Sequence, residues 1–504
     1  MRRCGCSPGC RSGFRRRVRS GGNMCRSISA GTFVLLLAAT AHAQTAAPAA
    51  KPSTSAWRAT ATNLTRVESW SFFEPPPTGG NPDSNFVGNR LRVGLSRSWP
   101  RVDVAGALQY VQFGGLPDAA VGPGFLGTGA LYYFHSQRTT SRGVFVPAIN
   151  VRLKLPRGVT ILGGRFGYTS GAEAPSGQPR IEAVKRSRMD SRLIGDFEWS
   201  LYQRAFDGVR ADVDRKTWHA SAAYLRPTQG GFEDSAGRTL GPVDLGAFTF
   251  TMRPGLALPS TDVTAFAYTY SDDRFVTARP DNTGLSAARA RVTVATLGAS
   301  AIGARRVGTV DLDWLGWYAE QTGSWYGQDH RARSLALEGG VQWPRGWQPW
   351  IRGGYLHASG DDNPRDARHG TFFATIPTVR RYSFTTIYAP MNLRDAFVEC
   401  IVRPSSRVRG RMDVRWLSLA EGADRWYAGS GATRGAGSFF GYAGRASGGH
   451  TDLGTVIEGA LDVTVARHLS INGFIGGMHG GRVVANLFRG EWARFAYLES
   501  VIQF

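Results

Sequence analysis

Apolar and polar residues alternate with a period of two along most of the chain after residue 57. In one segment Leu91 and Val93 lie on one side of the pattern, while Arg90 and Arg92 lie on the other. Successive side chains of a strand point to opposite faces, so this alternation predicts strands with one apolar and one polar face. The same alternation recurs in segments 102–110, 149–155, 209–214, 335–343 and 457–465, separated by Gly, Pro, Asp and Asn.

Alternation alone does not separate a soluble sandwich from a membrane barrel, because an apolar face can meet either a second sheet or lipid. Three features favour an outer-membrane barrel. The strand pattern continues for roughly 450 residues without a domain boundary, and Gly, at 64 of 504 residues, is common within it. Aromatic residues lie near segment ends, as the girdles of such barrels require. Examples are Trp57, Trp99, Tyr110, Trp199, Trp218, Trp343, Trp350 and Trp416.

The last residues of the chain also favour a barrel. Leu498, Ile502 and Phe504 share one face of the final predicted strand, with Tyr497 on the other. A last strand that ends on Phe resembles the signal read by the barrel assembly machinery. We therefore expect Tyr497 and Phe504 to act as an assembly signal, the alternative being that Phe504 is simply the last core residue of a soluble fold.

The first residues read as a targeting segment. Residues 28–41 are apolar, Arg26 precedes them, and Ala41-His42-Ala43 offers a small-x-small cleavage site. We predict a cleaved presequence over 1–43, a flexible linker over 44–56 and a barrel over 57–504. Met24 is an alternative start. Export through this signal peptide predicts location in the bacterial outer membrane.

Chain length sets the expected size of the barrel. About 25 residues per strand and connection give about 18 strands, and bacterial single-chain barrels have even strand numbers. The fold class expected is therefore an all-β, transmembrane antiparallel barrel of about 18 strands. Polar stretches should form external loops, one or more of which should fold inward; they are 74–85, 170–190, 359–370 and 428–450.

Charge identifies the face that should line the lumen. The chain carries 60 Lys and Arg against 38 acids, and Arg407, Arg409, Arg411 and Arg415 share one face with Asp413 among them. Arg on the lipid face would cost roughly 2–4 kcal/mol each near the midplane, so these residues should face water. The other predicted lumen bases are Arg90, Arg92, Arg152, Lys154, Arg165, Arg204, Arg210 and Arg352. The predicted lumen acids are Asp103, Asp212, Asp214, Asp413, Glu458 and Asp462, with Glu338 as a further candidate.

An excess of Arg in a channel concentrates anions, and the planar guanidinium matches a carboxylate with two hydrogen bonds. Nearby acids would weaken each site and let an anionic saccharide move on. The alternative is that these arginines pair with acids across strands and only rigidify the wall.

Several stretches resemble the alginate export family of outer-membrane proteins. The run Gly163-Gly164-Arg165-Phe166-Gly167-Tyr168 resembles that family's Gly-Arg-Gln strand, with Phe166 in place of Gln. Ser191 to Gly195, followed by Trp199 and by Arg204 to Arg210, is more specific, and residues 453–504 resemble the family's last strands. The resemblance implies a monomeric 18-stranded barrel with an Arg-rich constriction and passive diffusion of a polyuronate such as alginate.

Other functions find less support in the sequence. A general porin of the same fold, a plugged barrel with a structural or binding role, and a secreted soluble β protein remain alternatives. No motif predicts an enzyme, a cofactor or a nucleic-acid partner, although a Ser–His pair formed in space would leave no sequence signal. Oxygen ligands at Asp361, Asp362, Asn363 and Asp366 could hold calcium but are more typical of a solvated loop.

Overall fold

The computed structural model describes residues 56–121, 127–283, 291–378, 382–383, 385 and 387–504. The predicted presequence (1–43) and all but the last residue of the predicted linker (44–56) lie outside the described residues. Cleavage and export therefore stay predictions.

Within the described residues, eighteen antiparallel strands form one closed barrel, which confirms the predicted fold class. Each strand pairs with the next along the chain, and the last pairs with the first, with Leu64 opposite Val501. Phe504 and Ala61 complete this seam with two backbone hydrogen bonds of 2.9 and 3.1 Å. The strands are β1 (Arg58–Ser71), β2 (Asp83–Ser98), β3 (Val102–Gly114), β4 (Ser141–Leu155), β5 (Val159–Phe166), β6 (Phe206–Asp214), β7 (Trp218–Pro227), β8 (Val243–Met252), β9 (Thr261–Asp272), β10 (Val292–Val307), β11 (Val310–Trp325), β12 (Gln328–Gln342), β13 (Trp350–Ala358), β14 (Leu393–Ser405), β15 (Val408–Leu419), β16 (Asp452–Ala466), β17 (Leu469–Gly480) and β18 (Trp492–Gln503).

The two faces of the wall follow the sequence pattern. Ile149 and Met412 point outward and are 64% and 65% exposed, as residues facing lipid should be. On the opposite face, Arg411, Asp413 and Arg415 are buried inside the barrel. The alternation therefore correctly separated the lipid face from the lumen face on β15.

Connections at the two ends of the barrel differ in length. Eight connections at one end have two to eight residues: 99–101, 156–158, 215–217, 253–260, 308–309, 343–349, 406–407 and 467–468. The other end carries the long connections, which include 115–140, 167–205, 359–392 and 420–451. Outer-membrane barrels have short periplasmic turns and long extracellular loops, which orients this barrel. All four predicted external loops lie at the extracellular end, although residues 83–85 belong to β2.

The connections between the barrel strands contain a few short helices and strands. The helices are α1 (Gly127–Ser136), α2 (Pro179–Val184), which continues into a π-helical turn (Lys185–Met189), and α3 (Arg482–Ala485). None of the helices in the described ranges is long and apolar enough to cross a bilayer. Short strand pairs join Phe275–Val276 to Ala436–Gly437, Arg425–Gly429 to Tyr442–Ala446, and Arg368–His369 to β12.

Two long loops fold into the lumen, as the sequence predicted for one or more of them. Within the loop 167–205, Ile181, Val184 and Ile194 are fully buried. The loop 359–392 meets it, because the amide of Ile376 donates to the carbonyl of Leu193 and Ile376 accepts from Gly195. These backbone hydrogen bonds join the two inward loops into one structure that narrows the channel.

Candidate functional site in the barrel lumen

A cavity of about 620 Å³ lies between the inward loops and the wall. Its lining reaches from Arg66 and Arg90, in the middle of β1 and β2, to Arg403 and Arg409, beside the periplasmic turn 406–407. The cavity therefore occupies the periplasmic half of the lumen. We call it the vestibule.

The lining of the vestibule is rich in arginine. Six guanidinium groups face three carboxyl groups, and the aromatic rings of Trp199, Trp350 and Tyr497 complete its wall. The arginines are Arg66, Arg90, Arg186, Arg403, Arg409 and Arg411, and the acids are Glu198, Glu399 and Glu499. This imbalance makes the vestibule electropositive.

Arg66 fastens the first inward loop to the wall. Its guanidinium donates to Glu499 at 2.6 and 2.8 Å and to the carbonyl of Trp199 at 2.9 Å. It also lies 3.3 Å from the centroid of the Trp199 ring, a cation–π contact. The charge of Arg66 is therefore neutralised within the protein, mainly by Glu499.

Arg90, Arg186 and Arg403 differ from Arg66, because among the described residues no carboxylate lies within ion-pair distance of them. The buried Nε of Arg90 has no hydrogen-bond partner, and the charges around it include those of Arg92, Arg66 and Glu499. Arg186 donates only to a backbone carbonyl, at 3.3 Å. These three groups keep their hydrogen-bonding capacity for a solute.

A second group of arginines holds the inward loop against β12 and β13. Arg188 binds both oxygens of Glu338, at 2.8 and 3.1 Å. Arg352 contacts the same carboxylate at 3.2 Å and also pairs with Asp313. This buried network fixes the loop to the wall at β12 and β13.

A third network runs along β14, β15 and β16. Arg411 contacts Glu399 at 2.7 Å and Asp413 at 2.8 Å, and Arg415 contacts Asp395 at 2.7 Å and Asp413 at 3.0 Å. Two strands of the wall are thereby cross-linked by charge. The adjacent Glu458 accepts from the backbone amide of Thr385 at 2.8 Å, which ties the second inward loop to the same network.

The predicted lumen bases fall into distinct places. Arg90, Arg409 and Arg411 line the vestibule. Four others also face the lumen but contact polar neighbours there. Arg92 contacts Gln109 and Gln203, and Arg210 contacts Asp212. Arg352 contacts Asp313 and Glu338, and Arg415 contacts Asp395 and Asp413. Arg152 and Lys154 lie on the lumen face near the periplasmic end, where Lys154 pairs with Asp103 at 2.6 Å.

Three of the predicted bases do not project from the wall into the lumen, so these predictions are wrong. Arg165 lies opposite Ile149, which faces lipid, and it pairs with Asp207 at 2.7 Å on the outer face near the extracellular end. Arg204 lies within the first inward loop (167–205) and does not line the vestibule. It donates to the carbonyls of Gly195, Ile376, Ser430 and Ala432, and burial lowers its pKa to about 10. Arg407 is exposed in a periplasmic turn.

The predicted acids mostly neutralise neighbouring bases. Asp212 pairs with Arg210 at 2.7 Å, Asp214 with Arg253 at 2.5 Å, and Asp462 with Arg409 at 3.2 Å. Asp413 and Glu458 belong to the buried network on β15 and β16. In the part of the chain that the structure describes, no group of three or more His, Cys, Asp and Glu is placed to hold a metal ion.

Sequence reasoning missed three lining arginines. Arg66 and Arg403 lie on the lumen faces of β1 and β14, where the alternation that found Arg90 would also have found them. Arg186 lies in the basic run Lys185–Arg188, which was assigned to an external loop. Its signal was the density of positive charge beside the family motif at 191–210.

Solved structures of outer-membrane proteins share this fold at low sequence identity. Acinetobacter baumannii OccAB2 has a TM-score of 0.55 and 8% identity, covering 88% of this chain and 98% of that chain. Acinetobacter baumannii OccAB4 has a TM-score of 0.54 and 8% identity, with 88% and 97% covered. Pseudomonas aeruginosa OccK2, solved in complex with glucuronate, has a TM-score of 0.52 and 9% identity, with 89% and 97% covered.

At the sequence level, a family model described as Alginate export matches residues 185–479. No curated protein matches the sequence. The matched range contains most of the first inward loop and the network on β14 to β16, and it covers more than half of the chain. The protein belongs to the alginate export family, and its closed barrel is that of an outer-membrane channel.

Proposed function

We propose that the barrel passes small anionic saccharides, of the uronate class, by passive diffusion through the vestibule. The observation that carries this proposal is the set of three arginines, Arg90, Arg186 and Arg403, that line the cavity without a carboxylate partner. A uronate presents one carboxylate per sugar, and a guanidinium can bind it with two parallel hydrogen bonds.

The mechanism follows from the spacing of charge along the lumen. Arg403 lies near Arg409, Arg180 and Arg186 at the periplasmic mouth, and Arg90 lies near Arg66 and Arg92 deeper inside. An anion would be concentrated at the mouth and would then move from one arginine to the next, because each guanidinium binds it too weakly in water to retain it. Trp199 and Tyr497 add apolar surface against which a sugar ring can slide.

The test is uptake by vesicles that contain the refolded chain from residue 44 onward. Glucuronate and glucose have nearly the same size, so the ratio of their rates isolates the effect of charge. We expect glucuronate to enter faster, and the variant Arg90→Gln/Arg186→Gln/Arg403→Gln to lose that preference. The matched control is Arg138→Gln/Arg365→Gln/Arg489→Gln, which removes three exposed bases from extracellular loops. Equal rates in the unmodified barrel would reject anion preference.

A plugged barrel is the second candidate, and the hydrogen bonds between Ile376 and the loop 167–205 favour it. Both inward loops are tied to the wall, at Glu338 and at Glu458. A plugged barrel would show no uptake of either sugar, whereas a general porin would pass both at similar rates. The same measurement therefore distinguishes all three functions.

A further inference from the structure

The turns at the periplasmic end of the barrel carry positive but no negative side chains, and the proposed channel function does not use this charge. None of the eight periplasmic turns contains Asp or Glu, and seven of them contain Arg or Lys. The extracellular loops differ, since 228–242 and 359–392 both contain acids as well as bases. The asymmetry is therefore a property of one end of the molecule.

Six of these basic residues are free to bind something outside the barrel. Among the described residues none of the six has a carboxylate within ion-pair distance, and each side chain is exposed. They come from six different turns, so they are distributed around the rim rather than gathered at one point. The six are Arg101, Arg157, Lys216, Arg345, Arg407 and Arg467. We call them the periplasmic ring.

Aromatic side chains mark the level at which the ring lies. Trp347 and Phe504 are 66% and 73% exposed at this end of the barrel. The guanidinium of Arg97 lies 4.7 Å from the ring centroid of Trp99 and 5.6 Å from that of Trp57, on the outer face. Tryptophan collects where hydrocarbon meets headgroups, so the ring lies next to that boundary.

The size of the turns decides which occupant can reach the ring. Five residues of the ring lie in turns of two or three residues, which extend only about 5 Å beyond the strand ends, and Arg345 lies in the seven-residue turn 343–349. The headgroup layer on each side of a bilayer is about 5–7 Å thick. The five side chains in short turns are thus placed among lipid phosphates, too close to the membrane surface to form a projecting contact surface for a soluble protein.

We propose that the periplasmic ring binds the anionic headgroups of phospholipids in the inner leaflet of the outer membrane. Each Arg or Lys near such a surface favours an anionic over a zwitterionic lipid by about fivefold at low salt. The ring would give the barrel a selected annulus of anionic lipid at its periplasmic end. This inference does not depend on which solute passes through the lumen.

The test uses spin-labelled phosphatidylglycerol and phosphatidylcholine as probes in phosphatidylcholine vesicles that contain the refolded chain. The immobilised fraction of each probe gives their relative association constant. We expect a preference for phosphatidylglycerol of about fivefold at low salt, falling toward one as the charges are screened. The variant Arg157→Gln/Arg345→Gln/Arg407→Gln/Arg467→Gln should abolish most of it.

The matched control removes four exposed bases from the other end, as Arg138→Gln/Arg365→Gln/Arg368→Gln/Arg489→Gln, and should keep the preference. Equal association of the two lipids in the unmodified barrel would overturn the proposal, as would a preference that survives loss of the four turn residues. If the ring instead binds an acidic protein or an oligouronate, one of those two results is expected. Should the turn variant not fold, the salt titration of the unmodified barrel decides alone, because a preference unaffected by salt is not electrostatic.

Discussion

The lumen contains two kinds of arginine that look alike in sequence. Arg415 is completely buried and contacts two carboxylates, Asp395 and Asp413. Arg90 also lies on the lumen face, but it lines the vestibule without a carboxylate partner. The first kind holds the wall and the inward loops together, while the second is available to a solute.

The difference between the two comes from neighbouring strands. Across from Arg415 lies Phe397, flanked on β14 by Asp395 and Glu399, which supply negative charge around it. Across from Arg90 lie Leu64 on β1 and Val111 on β3, neither of which carries charge. Whether an arginine of the wall is paired therefore depends on the residues that strand register places beside it as well as on acids of its own strand, such as Asp413.

The largest expected effect is the loss of a paired arginine. Arg415→Gln leaves Asp395 buried without its arginine partner and removes one of the two arginines that contact Asp413, so we expect the free energy of unfolding to fall by about 4–5 kcal/mol. Urea unfolding in lipid vesicles, followed by tryptophan fluorescence, measures it. The contrasting variant Arg90→Gln leaves no carboxylate without a partner, and it should change the free energy of unfolding by less than about 1 kcal/mol. Equal losses in the two variants would erase the distinction.

A carboxylate at the centre of a network gives the next largest effect. Glu338→Gln removes the carboxylate partner of Arg188 and one of the two carboxylate partners of Arg352, and we expect the free energy of unfolding to fall by about 3 kcal/mol. The first inward loop should loosen, which raises single-channel conductance. Asp329→Asn, which breaks an exposed pair with Arg331, serves as the control and should leave conductance unchanged. An unaltered conductance in Glu338→Gln would mean that the loop is held by packing alone.

Charge reversal at an unpaired arginine should change selectivity with little cost in stability. Arg90→Glu places a carboxylate in the vestibule, so the preference for anions should fall severalfold or reverse. Ion selectivity in planar bilayers measures this change. Arg138→Glu, in an exposed extracellular loop, is the control. A selectivity change of the same size in the control would point to a general field effect instead of a local site.

The smallest effect is expected outside the lumen. Arg165→Gln breaks a pair with Asp207 on the outer face, which should cost less than about 1 kcal/mol and leave selectivity unchanged. Ion selectivity and urea unfolding of the variant test both statements. Any loss of anion preference would place Arg165 in the path after all.

Much of the fold could be predicted from the chain alone. Alternation separated the lipid face of β15, with Met412 outward, from its lumen face, with Arg411 and Arg415 inward. The number of strands followed from length, and the positions of the long loops followed from polar stretches. These features depend on the local sequence and on the thickness of a bilayer, so they can be predicted from one segment at a time.

The errors occurred where local sequence lacks a signal for the face. Gly163 and Gly164 precede Arg165, and glycine does not mark which side is apolar, so only the pairing of Arg165 with Ile149 places it outside. Arg186 reaches the vestibule because a loop folds back into the barrel, a contact between residues far apart in the chain. Asp413 lies in the same segment as Arg411 and Arg415 and was visible there, but Glu399 and Asp395 come from the adjacent strand β14 and could not be seen within one segment.

The most direct test of the account is the reversal potential of the refolded barrel in a planar bilayer under a gradient of KCl. The account predicts that Cl⁻ is preferred over K⁺, and that Arg90→Gln/Arg186→Gln/Arg403→Gln removes this preference while Arg138→Gln/Arg365→Gln/Arg489→Gln keeps it. Added glucuronate should reduce the current only while the three vestibule arginines are present. A cation-selective or unselective current in the unmodified barrel would contradict the central claim that unpaired arginines set the path.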